Sequence, residues 1–146
     1  VKYHNVIATI RGTTYPDEYI IMGGHFDCYD SATGAVDDGS GFSPVMEAIR
    51  LITAAGARPK RSIVTMLFAA EENGLVGSQS WLKRHPEVQP KIVMMINRDG
   101  SPSAIVGATV PGATVTPRKS LYNPALCEIH AVELVRHPVR IHFPPR

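Results

Sequence analysis

Residues 19–27, YIIMGGHFD, decide how this chain reads. Tyr19–Met22 is a short, unbroken apolar run, the pattern of a strand covered on both faces. It stops at Gly23-Gly24, where the backbone can bend sharply. His25 and Asp27 follow at once, so polar groups stand just past the strand's carboxyl end. The same arrangement recurs twice downstream. Ser62–Ala70 carries Ile63, Val64, Met66, Leu67 and Phe68 and leads to Glu71 and Glu72. Lys91–Ile96 carries Ile92, Val93, Met94 and Met95 and leads to Asp99.

The segments between these runs fix the fold class. From His25 to Gly41 there is no periodicity, which predicts a long loop holding Asp37 and Asp38. Phe42–Ala55 places Val45, Ile49 and Ile52 at helical spacing, with Gly56 and Pro59 as stop signals. Gly77–His85 reads as a short helix ended before Pro86. Strands alternating with helices predict an α/β fold, a mostly parallel mixed sheet flanked by helices. Val6–Ile10 is a further strand. The turn residues Gly12, Pro16 and Asp17 separate it from Tyr19 by too little chain for a crossover, so the two are expected to form an antiparallel hairpin at one side of the sheet. Ala104–Val106 reads as one more strand and Ala125–Val135 as a candidate helix. Composition shifts near Pro117. Residues 1–117 are expected to form one unit, and 118–146 an atypical tail rich in Pro and holding His130, His137 and His142.

Composition narrows the function classes. The chain has 146 residues, 44% of them hydrophobic, and 15 Lys+Arg against 13 Asp+Glu give a formal net charge of +2. This is a folded domain of ordinary composition, neither disordered nor divided into several units. The charge gives no case for a nucleic-acid partner, and no apolar run approaches the roughly 20 residues that span a bilayer. Cys28 and Cys127 make no CxxC pair, which argues against a disulfide scaffold or a structural zinc knot. HExxH, GxSxG and GxxxxGK[ST] are all absent. The chain opens at Val1 with no signal segment and is expected to be part of a longer protein.

The acids at the strand ends carry the chemistry. In an open α/β sheet, ligands bind at the carboxyl ends of strands. Singly, each group has an ordinary structural use, since Glu pairs suit helix N-termini and Asp-Gly makes turns. Gathered at one rim, four or five carboxylates repel one another unless protonated or neutralised by cations. A His among carboxylates suits zinc or a similar divalent metal, and a carboxylate can bridge two metals, which points to metal-assisted hydrolysis. His25 offers a ring nitrogen. Asp27 either orients that ring or is itself a ligand. Of Glu71 and Glu72, one can bind metal while the other accepts a proton. Asp99 supplies another ligand.

Four segments taken in order, GGHFD (23–27), GAVDDGSG (34–41), AAEENGLVGS (69–78) and MINRDG (95–100), resemble the co-catalytic dizinc exopeptidases. These include zinc aminopeptidases, aminopeptidase Y and carboxypeptidase Q. The resemblance implies a zinc-dependent exopeptidase, most simply an aminopeptidase, acting on peptides with two Zn2+ per complete site. It implies His25 and Asp99 as ligands of one zinc, Asp27 as the residue orienting His25, Asp37 as the bridge and Glu72 as a ligand of the second zinc. Glu71 matches the general base, which takes a proton from the attacking water and returns it to the leaving amine. Asp38 matches a neighbour of the bridge, not a ligand. The family's further His, in a Ser-Asp-His-like segment, has no match here, so the second zinc site is expected to be incomplete. Two other readings share this core: an inactive or single-metal remnant that binds peptides or a partner chain, and a glutaminyl-cyclase-like acyltransferase. The resemblance also favours a periplasmic or secreted location.

Overall fold

The computed structural model describes residues 2–100, together with the backbone of 108–110, 113–115 and 131–133. The elements in chain order are β1 (Val6–Ile10), β2 (Tyr15–His25), α1 (Gly39–Ala54), β3 (Arg61–Phe68), α2 (Val76–Arg84), a single 3-10 turn (Gln89–Lys91), β4 (Ile92–Asn97), β5 (Ala108–Val110), β6 (Ala113–Val115) and β7 (Ala131–Glu133). Five strands form one sheet in the order β1-β3-β2-β4-β7. β2 lies parallel to both β3 and β4. β1 and β7 run antiparallel to β3 and β4 at the two sides. β5 and β6 pair separately. The expected α/β class, a mixed sheet with a parallel centre and flanking helices, is what forms.

The expected β1–β2 hairpin does not form. β1 pairs with β3, from Val6 opposite Leu67 to Ile10 opposite Ile63. Burial explains the order. β3 is covered along most of its length, whereas β1 is almost wholly exposed, so β3 takes the inner position and β1 the edge. The link from β1 to β2 crosses the start of β3. There the buried Ser62 hydroxyl accepts the Gly12 N–H (3.0 Å) and donates to the Pro16 carbonyl (2.7 Å). Tyr15 N–H donates to the Lys60 carbonyl (2.8 Å), extending β2 four residues earlier than its apolar run.

Alternation divides the sheet's two faces. Ile21, Val64, Met66, Phe68 and Ile92 form the buried core on one face, with Tyr19, Trp81, Val88 and Met95 packed against it. α1 covers the other face. It starts at Gly39, earlier than its periodicity indicates, and contributes the buried Gly41 and Val45. α2 ends in Lys83 and Arg84, charges that suit a helix C-terminus. Among the described residues no helix is long and apolar enough to cross a membrane.

The candidate strand Ala104–Val106 and the boundary at 117 lie outside the described residues. Within the candidate helix Ala125–Val135, residues Ala131–Glu133 are instead a strand paired with Met95–Asn97. The open side of β4 offers unpaired backbone groups, and a strand satisfies them where a helix cannot. The rest of that stretch, with the tail histidines, lies outside the described residues.

Register is what matters for the site. His25 stands opposite Phe68 and Gly23 opposite Asn97, so the three parallel strands end at nearly one level. The residues just beyond them are Asp27, Glu71, Glu72 and Asp99.

Candidate metal centre

His25 is the last residue of β2 and only 2% exposed. Its Nδ1 lies 3.1 Å from the Asp27 carbonyl oxygen and 3.6 Å from Asp27 Oδ1. Both are acceptors, so the ring carries its proton on Nδ1 and turns Nε2 toward the rim. Nε2 meets Asp37 Oδ1 at 2.9 Å, Asp99 Oδ1 at 3.7 Å and Glu71 Oε2 at 3.9 Å. A ring whose Nδ1 proton is already committed thus faces three further acceptors. Only a second proton or a cation on that side resolves the clash. Burial, the largest influence, lowers the His25 pKa, but the carboxylates of Asp38, Asp99, Glu71 and Asp27 outweigh it and raise the pKa above the usual imidazole value.

Ligand atoms of His25, Asp37, Asp38 and Asp99 all lie within 4.8 Å of one another. One imidazole nitrogen and several carboxylate oxygens form a donor set that zinc accepts. The residues present therefore fit a divalent cation.

Residues 5–121 match peptidase family M28. The chain belongs to this family. M28 is a family of zinc exopeptidases. Carboxypeptidase Q of Rattus norvegicus is 34% identical over 109 residues, which are 75% of this chain and 23% of that protein. A probable zinc metalloprotease of Pyrenophora teres f. teres (strain 0-1) is 37% identical over 121 residues, covering 76% of this chain and 26% of that protein. The chain thus spans about a quarter of the length of these curated relatives. Among solved structures, a peptidase M28 precursor from Shewanella amazonensis SB2B superposes with a TM-score of 0.68 at 36% identity, over 71% of this chain and 24% of that one. An aminopeptidase from Aneurinibacillus sp. strain AM-1 gives a TM-score of 0.67 at 24% identity, over 94% of this chain and 40% of that one, a likeness of fold.

In this chain the rim is organised by two acids whose oxygens are taken by backbone donors. Asp27 Oδ1 and Oδ2 accept the amides of Glu71 (3.0 Å) and Glu72 (3.2 Å), joining the end of β2 to the loop after β3. Asp38 is 1% exposed; its Oδ2 accepts the His25 amide (2.9 Å) and its Oδ1 the Gly100 amide (3.1 Å). It therefore ties the residues beside both His25 and Asp99 to the start of α1. The peptide between Asp37 and Asp38 is cis. Gly24 and Gly41 make room for Asp38: a Cβ on Gly41 would overlap Asp38 Oδ1, and one on Gly24 would stand 2.7 Å from Oδ2. Burial pushes the Asp38 pKa up to about 6, against the amide bonds and His25, which pull it down.

Sequence reasoning placed Asp38 as a bystander and missed this anchoring. The available signal was the pair of small residues, Gly24 and Gly41, that leave space for a buried acid. The other expected site residues divide into two groups. His25, Asp37, Asp99 and Glu71 come together. Glu72 does not join the close group, and its charge instead raises the pKa of the exposed Tyr29 phenol. Glu71 is partly buried, and burial, ahead of repulsion from Asp99, Glu72 and Asp27, raises its pKa while His25 opposes the rise. A cavity of about 280 Å³ between α2 and the sheet, lined by Met66, Phe68, Leu75, Trp81 and Met95, opens beside His25, Glu71 and Asp99.

Proposed function

We propose that this chain forms the metal-binding core of a zinc-dependent aminopeptidase, in which Glu71 is the general base for hydrolysis of a terminal peptide bond. One observation carries the reading: His25 Nε2 stands within 3.9 Å of carboxylate oxygens from Asp37, Asp99 and Glu71, which come from three separate segments.

His25 and Asp99 would hold one zinc, Asp37 would be shared, and Glu72 would face the second. Zinc, when bound there, supplies Lewis acidity, polarising a carbonyl and making water easier to deprotonate. The chain's own residues do the rest. The Asp27 carbonyl fixes the His25 tautomer, so that Nε2 presents its lone pair. Asp27's carboxylate sets the height of Glu71 above the ring through the Glu71 amide. Glu71 Oε2 accepts a proton from the attacking water and delivers it to the leaving amine. A carboxylate whose pKa is lifted toward neutrality suits both transfers.

The choice of aminopeptidase rests on the resemblance of the four motif segments, because zinc bound among Asp37, Glu72 and Asp99 would offset most of the rim's negative charge. A second reading, the single-metal remnant, is favoured by one fact: the close donor group is a single cluster that excludes Glu72.

The test is Glu71→Gln, with zinc content and hydrolysis of an aminoacyl anilide measured on the same sample. We expect kcat to fall by about 10²- to 10⁴-fold with zinc per chain unchanged. Loss of zinc in that variant overturns the assignment of Glu71 as base. One zinc per chain with no turnover in the unaltered protein replaces the enzyme reading with the remnant.

A further inference from the structure

Glu71 and Glu72 ride on the loop that joins β3 to α2. This loop has two non-glycine residues with left-handed backbone, Ala70 (φ 54°) and Leu75 (φ 60°), conformations that persist only where the surroundings hold them. Its two feet are stitched together, with Gly77 N–H donating to the Ala69 carbonyl (2.9 Å) and Val76 N–H to the Ala70 carbonyl (3.0 Å).

A residue far away in sequence closes the same gap. Asn5 Oδ1 accepts the Ala69 amide (3.1 Å), and Asn5 Nδ2 donates to the Gly77 carbonyl (3.0 Å). One side chain thus grips both feet. Asn5 sits immediately before β1, and the pairing of Val6 with Leu67 delivers its amide to the carboxyl end of β3. Gly77 is what admits it, because a Cβ there would overlap Asn5 Oδ1 and the Ala69 carbonyl oxygen. The primary amide accepts an N–H through Oδ1 and donates to a C=O through Nδ2, so its two atoms reach two separate feet. Aspartate lacks the donor, and leucine lacks both groups.

We infer that Asn5 is a positioning residue, which fixes the loop from below and so sets where Glu71 and Glu72 stand relative to His25. Asp27 holds the crown of the loop through the Glu71 and Glu72 amides, and Asn5 holds its base. The inference rests on the proposed function only for its catalytic consequence. The mechanical claim stands on the two hydrogen bonds.

The experiment compares Asn5→Leu with Ile10→Ala, a substitution at the far end of the same strand that weakens β1 without touching the loop. Amide hydrogen exchange is read at Ala69, Glu71, Glu72 and Gly77, and kcat, KM and zinc content are read on the full, zinc-loaded chain. In Asn5→Leu we expect exchange at all four amides to speed up about tenfold or more, kcat to fall by about the same factor, and KM and the zinc held by His25 and Asp99 to stay put. Ile10→Ala, at similar or greater loss of thermal stability, leaves loop exchange and kcat near those of the parent. Asn5→Asp restores the Ala69 contact alone and falls between.

Unchanged exchange at Glu71 and Glu72 in Asn5→Leu overturns the inference. So does a kcat loss that merely tracks melting temperature across both variants. If the parent chain shows no turnover, the proposed function fails. Fast exchange confined to Asn5→Leu then still upholds the clamp, and slow exchange still removes it.

Discussion

Two halves of one rim are held in different ways. On the His25 half, the ring is 2% exposed and its own amide is tied to Asp38, a carboxylate 1% exposed that also takes the Gly100 amide. On the Glu72 half, the side chain stays outside the cluster within 4.8 Å, and Tyr29, whose phenol feels its charge, is 58% exposed. The first half is anchored by a strand end and a buried acid, while its candidate ligands Asp37 and Asp99 stand on loops with side chains 54% and 44% exposed. The second rests on Glu72, a half-buried residue of the loop after β3, beside the exposed Tyr29. The difference teaches where the anchoring lies: a cation beside His25 would meet a ring and amides already held in place, whereas one at Glu72 would depend on what else surrounds that side chain.

The largest effect that separates the halves should come from Asp38→Ala. It strips the partner from the amides of His25 and Gly100, one of them in a buried residue, and opens a void between Gly24 and Gly41. We expect a stability loss of about 2–4 kcal/mol in urea unfolding of the metal-free chain, together with weakened zinc binding at His25. Glu72→Ala, by contrast, should change stability by about 0.5 kcal/mol or less. Comparable losses in the two variants would erase the distinction.

The pattern of what was legible follows the same line. The YIIM, IVTMLF and IVMMI runs announced the parallel strands, and the acids beyond each announced the rim. Strand ends, unlike loops, are aligned by register, so neighbours in space can be inferred without knowing the loops. The order of strands was less readable. β1 and β2 are close in sequence, but position in a sheet is settled by which strand is most fully covered, and β3 wins that contest. Asp38 was hidden for a similar reason. Nothing in an Asp-Asp-Gly-Ser-Gly stretch says which carboxylate is enclosed until Gly24 and Gly41 are seen to face it. Asp27 was read as either a ligand or an orienting group. The structure adds a role that neither reading contained, since its two carboxylate oxygens carry the Glu71 and Glu72 amides.

A smaller effect, and one that changes sign with metal, is expected in the pH dependence of the His25 half. Burial first, then neighbouring charge, lifts the Asp38 pKa from 3.8 to about 6, and the surrounding carboxylates carry the His25 pKa above 6.5 despite burial. Both folded-state values exceed the unfolded ones. The stability linked to each is therefore fully present below the unfolded pKa and is lost as pH rises through the folded value. The metal-free chain should lose melting temperature between about pH 4 and 6 through Asp38, and again above pH 6.5 through His25. Zinc requires the unprotonated ligands and stabilises the fold it binds, so its contribution grows over the same range. Melting curves with zinc and with chelator should diverge upward from about pH 6. A metal-free chain that gains stability toward pH 8 would show that these buried groups do not govern the half they anchor.

The smallest expected change is also the sharpest probe of the Glu72 half. The charge of Glu72, followed by its hydrogen bond, raises the Tyr29 phenol above its ordinary pKa of 10.0. Removing that charge with Glu72→Gln should bring the phenol back down, as read by ultraviolet titration of phenolate with Tyr29→Phe to isolate the signal. A cation at Glu72 has the same effect, because it cancels the charge that the phenolate would meet. Tyr29 is thus a reporter of occupancy on the weaker side. If the two halves fill separately, the first equivalent of zinc lowers the Tyr29 titration only slightly, through Asp37 and Glu71, and excess zinc lowers it further through Glu72. If the first equivalent already produces the whole shift, Asp37 couples the two positions so tightly that they fill as one. The contrast between a locked and an open half would then describe the side chains but not the binding of metal.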